Sequence, residues 1–275
     1  MPDAKPIYDL SLSENDFAPW GGLPTRSLVI CSHPRSGSTL LGEAIHFARG
    51  LGCPLEYLHR GFRPTLAARW EAPDLDSYVA AMHRWRTDPS GTFSTKLFWQ
   101  DVEEIAHERA SDRFPAPGVI APEEAGEDLY RAYRDVLADI LPAPTWVRLQ
   151  RRDVVRQAVS GVIAAQTGMW RSIPGVGRTE AVGAAAYDYE RILGLVALAR
   201  DSDDHWSRFF RAIGTTPCSL SYEDLVRDYE GSVGALLAAL GRPVAPAARR
   251  MKRQSDATGE TMVLRFLRDH AARTA

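Results

Sequence analysis

Two stretches of this chain carry residue types suited to gripping phosphate-like anions. The first is Ser32-His33-Pro34-Arg35-Ser36-Gly37-Ser38-Thr39. It separates the apolar run Leu28-Val29-Ile30-Cys31 from a helical pattern at Leu40, Leu41, Ala44, Ile45 and Ala48. Where a strand passes through such a turn into a helix, the N–H groups of the turn and of the helix start converge on one point, and the helix dipole adds to their pull. Gly37 lets the main chain approach an anion closely. Ser36, Ser38 and Thr39 offer hydroxyl donors, and Arg35 a fixed charge able to bind bidentately. The run is not the GxxxxGK[ST] phosphate loop, because Ser38 stands where that pattern has its lysine. An ordinary capped turn would use the same residues.

The second stretch is Arg151-Arg152-Asp153-Val154-Val155-Arg156-Gln157-Ala158-Val159-Ser160, directly after the apolar Trp146-Val147-Arg148-Leu149. Arg151 falls at the C-terminal end of the expected strand, the edge where open α/β sheets bind ligands. Ser160 follows about two and a half helical turns later, and an irregular first turn would bring it back beside Arg151. Cations at a helix start oppose its dipole, which points to an external anion there. A solvated basic helix start is the competing explanation. Two such sites at the ends of two strands suit a nucleotide with phosphates at both its 5′ and 3′ positions.

The elements that must position these groups follow from periodicity. Strands are expected at 28–31, Phe93 to Trp99, 146–149 and Cys218 to Tyr222. Helices are expected after each strand, with Asp101 capping one of them. The strongest amphipathic stripe runs over 127–141 (Leu129, Tyr130, Tyr133, Val136, Leu137, Ile140, Leu141), and a long helical tract over 180–213 is expected to break near Asp201-Ser202-Asp203-Asp204. Strand–helix alternation predicts an α/β fold, a single domain with a central parallel sheet flanked by helices. Residues 1–25, rich in acidic residues and proline, read as a loose leader, with the domain at 26–275. The Gly/Pro-rich 171–179 reads as a loop and candidate lid.

Bulk properties narrow the function. The 275 residues carry 33 basic against 35 acidic side chains, a formal charge of −2, which speaks against generalised nucleic-acid binding. Cys31, Cys53 and Cys218 are odd in number and lack zinc spacing, so neither a disulfide framework nor a metal is expected. With no apolar leader and no run of membrane-spanning length, a cytoplasmic location is expected.

Taken in order, these segments resemble the nucleotide-dependent sulfotransferases, and within them the bacterial trehalose 2-sulfotransferase group. The resemblance rests on Arg35 to Leu41, on Pro54-Leu55-Glu56-Tyr57, on Lys96-Leu97-Phe98-Trp99 and on Arg151 with Asp153 to Val155 and Gln157 to Ser160. Gln166-Thr167, Trp170-Arg171, Ser221-Tyr222-Glu223-Asp224-Leu225 and Arg253-Gln254-Ser255-Asp256 complete it, so that it covers most of the chain. It implies a P-loop-like sulfotransferase fold and 3′-phosphoadenosine-5′-phosphosulfate (PAPS) as co-substrate, with the 3′,5′-bisphosphate (PAP) as product. It also implies that Arg35, Ser36, Gly37, Ser38 and Thr39 hold the 5′-phosphosulfate, that Arg151 and Ser160 hold the 3′-phosphate, and that Tyr222 and Arg253 complete the nucleotide site. Trp99 would line that pocket or lie in the core.

Sulfuryl transfer to an alcohol requires a base, charge stabilisation and in-line placement. By the resemblance the base is Glu56, helped by partial burial beside Cys53, Tyr57 and Leu58. His59 is its rival, or a hydrogen-bond partner of the acceptor. Lys96, at a strand end, would neutralise charge on the sulfuryl group, or lie on the surface. Pro34 departs from the group, which has a sugar-contacting Gln before the loop arginine, so the expected acceptor is a sugar-containing small molecule rather than trehalose itself. Arg152 and Arg156 make the second site unusually basic. Relatives of this type favour a homodimer. The alternatives are a P-loop-like ATP-dependent kinase, which requires a Walker lysine and an Mg²⁺ aspartate, a non-catalytic nucleotide-binding protein, and an enzyme acting on a lipid or secondary metabolite.

Overall fold

The first strand is apolar on both faces, and its alternation decides what covers each. In a computed structural model, which describes residues 9–170, 185–249 and 257–274, β1 is Arg26–Ser32. Leu28 and Ile30 point to one side, toward α1 (Ser38–Ala48) and α9 (Tyr229–Ala239). Val29 and Cys31 point to the other, toward α3 (Leu75–Arg86), α4 (Trp99–Arg109), α5 (Glu127–Ala138) and α7 (Tyr189–Ala212). A strand with apolar residues on both faces has to sit centrally.

It does. The strands β2 (Thr92–Phe98), β3 (Pro144–Gln150) and β4 (Cys218–Ser221) complete a four-stranded sheet in the order β2-β1-β3-β4, every pair parallel. Helices cover both faces, as the alternation predicts. The remaining helices among the described residues are α2 (Arg63–Arg69), α6 (Val154–Thr167), α8 (Tyr222–Arg227) and α10 (Ala257–Thr274). From β1 the chain winds one way to β2, then crosses back over β1 to β3. The winding therefore reverses between β1 and β3, and the crevice outside the C-terminal ends of those two strands is where such sheets bind ligands. Cys31 and Arg148 are register partners there, so the loops after Ser32 and Gln150 leave the sheet side by side.

Several expectations need correction. The tract over 180–213 does not break: Asp201 to Asp204 lie within one continuous α7. Asp101 is not the cap residue of its helix; α4 starts at Trp99, and Asp101 reaches back from the first turn to accept the N–H of Phe98 at 3.0 Å. The described part of the leader is not loose. Arg86, fully buried, donates to the carbonyls of Leu10 (2.7 Å), Ser11 (3.2 Å) and Leu12 (3.3 Å) and pairs with Asp16 at 2.9 Å. Arg69 also pairs with Asp16, at 2.9 Å. The tract 63–86, whose two helices were not anticipated, is thus what secures residues 10–16. The expected lid at 171–179 lies outside the described residues.

Replacing Arg86 by Met leaves buried carbonyls and one partner of Asp16 unsatisfied. Arg86→Met is expected to lower unfolding free energy by about 3 kcal/mol. Urea unfolding checks this, and a loss below about 1 kcal/mol would mean that the clamp contributes little.

Candidate active site

The turn after β1 is shaped by backbone conformations that few residues adopt. Arg35 has φ 66° and Gly37 φ 89°, both left-handed, and Gly37 is the residue from which α1 starts, with no side chain capping it. A Cβ at position 37 would lie 2.7 Å from Cδ2 of Tyr222, so glycine is required by conformation and by space alike. The first-turn amides of α1 have no partner within the helix and open onto the turn. Ser36 is buried, and among the described residues its hydroxyl has no hydrogen-bond partner. His33, behind the turn, is held neutral, its pKa lowered to about 4 by burial.

Arg35 is where the two sequence segments meet. Its Nε donates to Ser160 Oγ at 3.0 Å, and its Nη1 donates to the carbonyl of Trp170. Arg151 Nη1 donates to the carbonyl of Arg35 at 3.0 Å, and Gln157 Nε2 to that of Pro34 at 2.8 Å. Ser160 is thus drawn to Arg151 through Arg35 rather than by an irregular helix turn. The guanidinium of Arg151 lies 4.4 Å from the ring centroid of Tyr222, which opens α8 directly after β4. Burial first, and the charge of Arg151 second, push the pKa of Arg35 down. Two guanidinium groups thus stand together at the switch point, forming the candidate anion seat. Beside it a hollow of about 370 Å³ opens between the ends of β3 and β4, lined by Arg151, Asp203, Ser219, Ser221 and Asp224 among others.

A second set of side chains approaches from the β2 side. Residues 53–57 run along β2: Leu55 bridges to Thr95 in parallel, and the N–H of Lys96 donates to the Leu55 carbonyl at 2.8 Å. That register puts Glu56 against Lys96, whose Nζ donates to Glu56 Oε1 at 2.8 Å and to Thr39 Oγ1 at 3.3 Å. Lys96 is neither at a strand end nor on the surface: it sits inside β2 with its side chain 3% exposed, against 16% for Glu56. Cys53, Tyr57 and Leu58 around Glu56 are buried, as expected. A Cβ at Gly42 would come 3.2 Å from the Pro54 carbonyl and 3.7 Å from Lys96 Cδ, so α1 admits this segment closely only because that position is glycine.

His59 lies one turn past Glu56, its N–H donating to the Glu56 carbonyl at 3.1 Å. Its Nδ1 is 2.8 Å from Oδ1 of Asp101, a carboxylate with no exposure, while the imidazole is 31% exposed. The hydrogen bond to that carboxylate is the main cause that raises the His59 pKa above its ordinary value. Asp101 was read as a cap, and its pairing with His59 across 42 positions of sequence left no local signal.

Other expected participants lie elsewhere. Trp99 belongs to the core: it is buried, its ring stacks on His205 at 4.7 Å, and its Nε1 donates to Glu103 at 3.0 Å. Arg152 and Arg156 are consumed by carboxylates. Arg152 donates to Ser221 and Asp224 (2.6 and 2.5 Å), and Arg156 pairs with Asp153 and, at 2.6 Å, with Glu260. They brace α6 against α8 and α10. Arg253 lies outside the described residues.

The seat, the lysine and the glutamate thus converge around Thr39. Two proteins named trehalose 2-sulfotransferase are similar to this chain. That of Mycobacterium tuberculosis (strain ATCC 35801 / TMC 107 / Erdman) is 28% identical over 267 residues, covering 88% of this chain and 94% of that protein. That of Mycolicibacterium smegmatis (strain ATCC 700084 / mc(2)155) is 29% identical over 273 residues, 90% of this chain and 96% of that protein. A crystal structure of a sulfotransferase from Alicyclobacillus acidocaldarius aligns with 91% of this chain and 94% of that one at 13% identity, with a TM-score of 0.46. The model of the Stf0 sulphotransferase family matches residues 27–269, and the chain belongs to that family.

Proposed function

We propose that this protein transfers a sulfuryl group from PAPS to a hydroxyl of a sugar or of a glycosylated small molecule. One observation carries the reading. The β1–α1 turn, suited to a 5′-phosphosulfate, and the Arg151–Ser160 segment, suited to a 3′-phosphate, are joined through Arg35 at the switch point of the sheet. That joint stands beside a buried Lys96–Glu56 pair. We read the two as seats for a single nucleotide bearing phosphates at both positions, and take the sugar acceptor from the trehalose sulfotransferases to which the chain is similar.

In this reading Gly37, the first-turn amides of α1, Ser36, Ser38 and Thr39 receive the 5′-phosphosulfate. Arg151 and Ser160, with Arg253, receive the 3′-phosphate, and Tyr222 packs on the nucleotide. The acceptor oxygen forms a bond to sulfur as the bond from sulfur to the 5′-phosphate oxygen breaks, releasing PAP. The proton of the attacking hydroxyl passes to Glu56. Lys96, held between Glu56 and Thr39, keeps that carboxylate in place, and in this reading its charge neutralises the negative charge that develops on the sulfuryl oxygens. Pro34 offers the acceptor no side-chain hydrogen bond and its carbonyl is occupied by Gln157, which favours a sugar bound differently from trehalose.

PAP is expected to raise the melting temperature, with about 2.7 kcal/mol of added stability at a hundredfold excess over its Kd, whereas ATP leaves it unchanged. Stabilisation by ATP and not by PAP would overturn the donor assignment. Gly37→Ala, which drives a methyl group into Tyr222, is expected to abolish the PAP response. Glu56→Gln is expected to keep that response while kcat falls about 10² to 10⁴-fold. Retention of wild-type kcat would move the base elsewhere.

A further inference from the structure

Asp101 takes no part in the scheme above, yet it is a fully buried carboxylate pointed at the one side chain of the acceptor loop that has a nitrogen to spare. Its two oxygens are both engaged by donors: Oδ2 accepts the Phe98 N–H at 3.0 Å, and Oδ1 faces His59 Nδ1 at 2.8 Å. An ionised carboxylate can only accept, so the proton of a neutral His59 must sit on Nδ1. That leaves the Nε2 lone pair open. Among the described residues nothing hydrogen-bonds to Nε2, and the ring is partly exposed.

The position of that lone pair is fixed from three directions. The loop carrying His59 is registered to β2 through Leu55 and Lys96, Asp101 stands on α4 immediately after β2, and the ring edge packs against Phe98 at 5.8 Å. Glu56 and His59 are the first and last residues of one turn. Two hydrogen-bonding side chains carried by one turn suit an acceptor with several hydroxyls better than an isolated alcohol.

We propose that His59 Nε2 accepts a hydrogen bond from a second hydroxyl of the acceptor, and that Asp101 is the positioning residue that fixes the tautomer and orientation of the His59 ring. The inference rests on the sulfotransferase reading given above and assigns the acceptor class as a polyol. An asparagine at 101 retains a single oxygen. The Phe98 N–H claims it, so the NH₂ group turns to Nδ1 and forces the His59 proton onto Nε2, the wrong nitrogen.

The charged groups around His59 are Asp101 and Glu104 on α4, with Arg60 paired to Glu104 at 3.6 Å, and Glu56 on its own loop, paired to Lys96. The carboxylates raise the His59 pKa, Asp101 most of all. Neutral His59 is the accepting form, so acceptor affinity improves as pH rises through that raised pKa. Removing the Asp101 charge lowers the pKa and moves the acidic limb toward lower pH.

The experiment compares steady-state transfer from PAPS to methyl α-glucoside, trehalose and cyclohexanol, with the PAP-induced rise in melting temperature as a control for folding and for the donor site. Asp101→Asn is expected to keep the PAP response and raise KM for the sugars about tenfold, the worth of one lost hydrogen bond. It should change kcat little, leave cyclohexanol untouched, and displace the acidic limb of kcat/KM downward. His59→Phe, which has no acceptor and sits at a partly exposed site, should give the same rise in KM and no such limb. Sugar and monohydroxy acceptors affected alike, an unmoved limb, or a wild-type enzyme that uses cyclohexanol as well as sugars would overturn the proposal and leave Asp101 a tie between loop and helix. A wild-type protein indifferent to PAP would instead strike the donor assignment, and this inference with it.

Discussion

The structure turns on Arg35, a residue whose main chain and side chain do different work. Its carbonyl is held by Arg151 and its guanidinium by Ser160 and Trp170, so the loop after β1 and the helix after β3 cannot move independently. Its left-handed backbone makes room for the turn to reverse into α1. Parallel strands alone would bring the two loops near each other. This set of bonds, with that from Gln157 to the Pro34 carbonyl, ties them directly to each other.

The residues around that joint are costly ones. Two guanidinium groups near each other, a lysine almost without exposure and a buried carboxylate all lose hydration on folding. Each is compensated by a partner: Arg35 by Ser160 and Trp170, Arg151 by the Arg35 carbonyl, Lys96 by Glu56, and Asp101 by His59. Arg86, Arg152 and Arg156 are paired in the same way. Each is matched by carboxylates or carbonyls and serves only to join elements: the segment at 10–16 to α3, β3 to α8, and α6 to α10.

The sheet and the two segments that leave it at the switch point were legible because their signals are local. Apolar runs such as Leu28 to Cys31 and the small-residue turn after them report on their own neighbourhood, and all four strands lie within two residues at either end of where periodicity places them. What could not be read depends on distant pairings. The helices over 63–86 contain arginines at positions 69 and 86 whose partners Asp16 and Leu10 lie more than 50 residues away, and the break expected at 201–204 ignored the apolar face that α7 presents on either side of it. For Lys96 the sequence left a charge-neutralising role and a surface position both open, because nothing nearby in sequence announces that residues 53–57 will cover it.

The acceptor side shows why such pairings matter for chemistry. The Leu55 carbonyl accepts the Lys96 N–H of β2, and beside that one main-chain register Glu56 meets Lys96 and His59 meets Asp101. A slip of one residue would turn Glu56 to the opposite face, away from Lys96. The same strand and the helix that follows it therefore carry Lys96 and Asp101, while α1 carries Thr39 toward the same lysine. Thr39 on α1, Asp101 on α4 and the loop bearing Glu56 and His59 are thus all tied to β2 or its flanks, with Lys96 as the member that links Thr39 to Glu56. Whatever shifts β2 relative to β1 must disturb both at once, and the seven-residue register between those strands resists that shift.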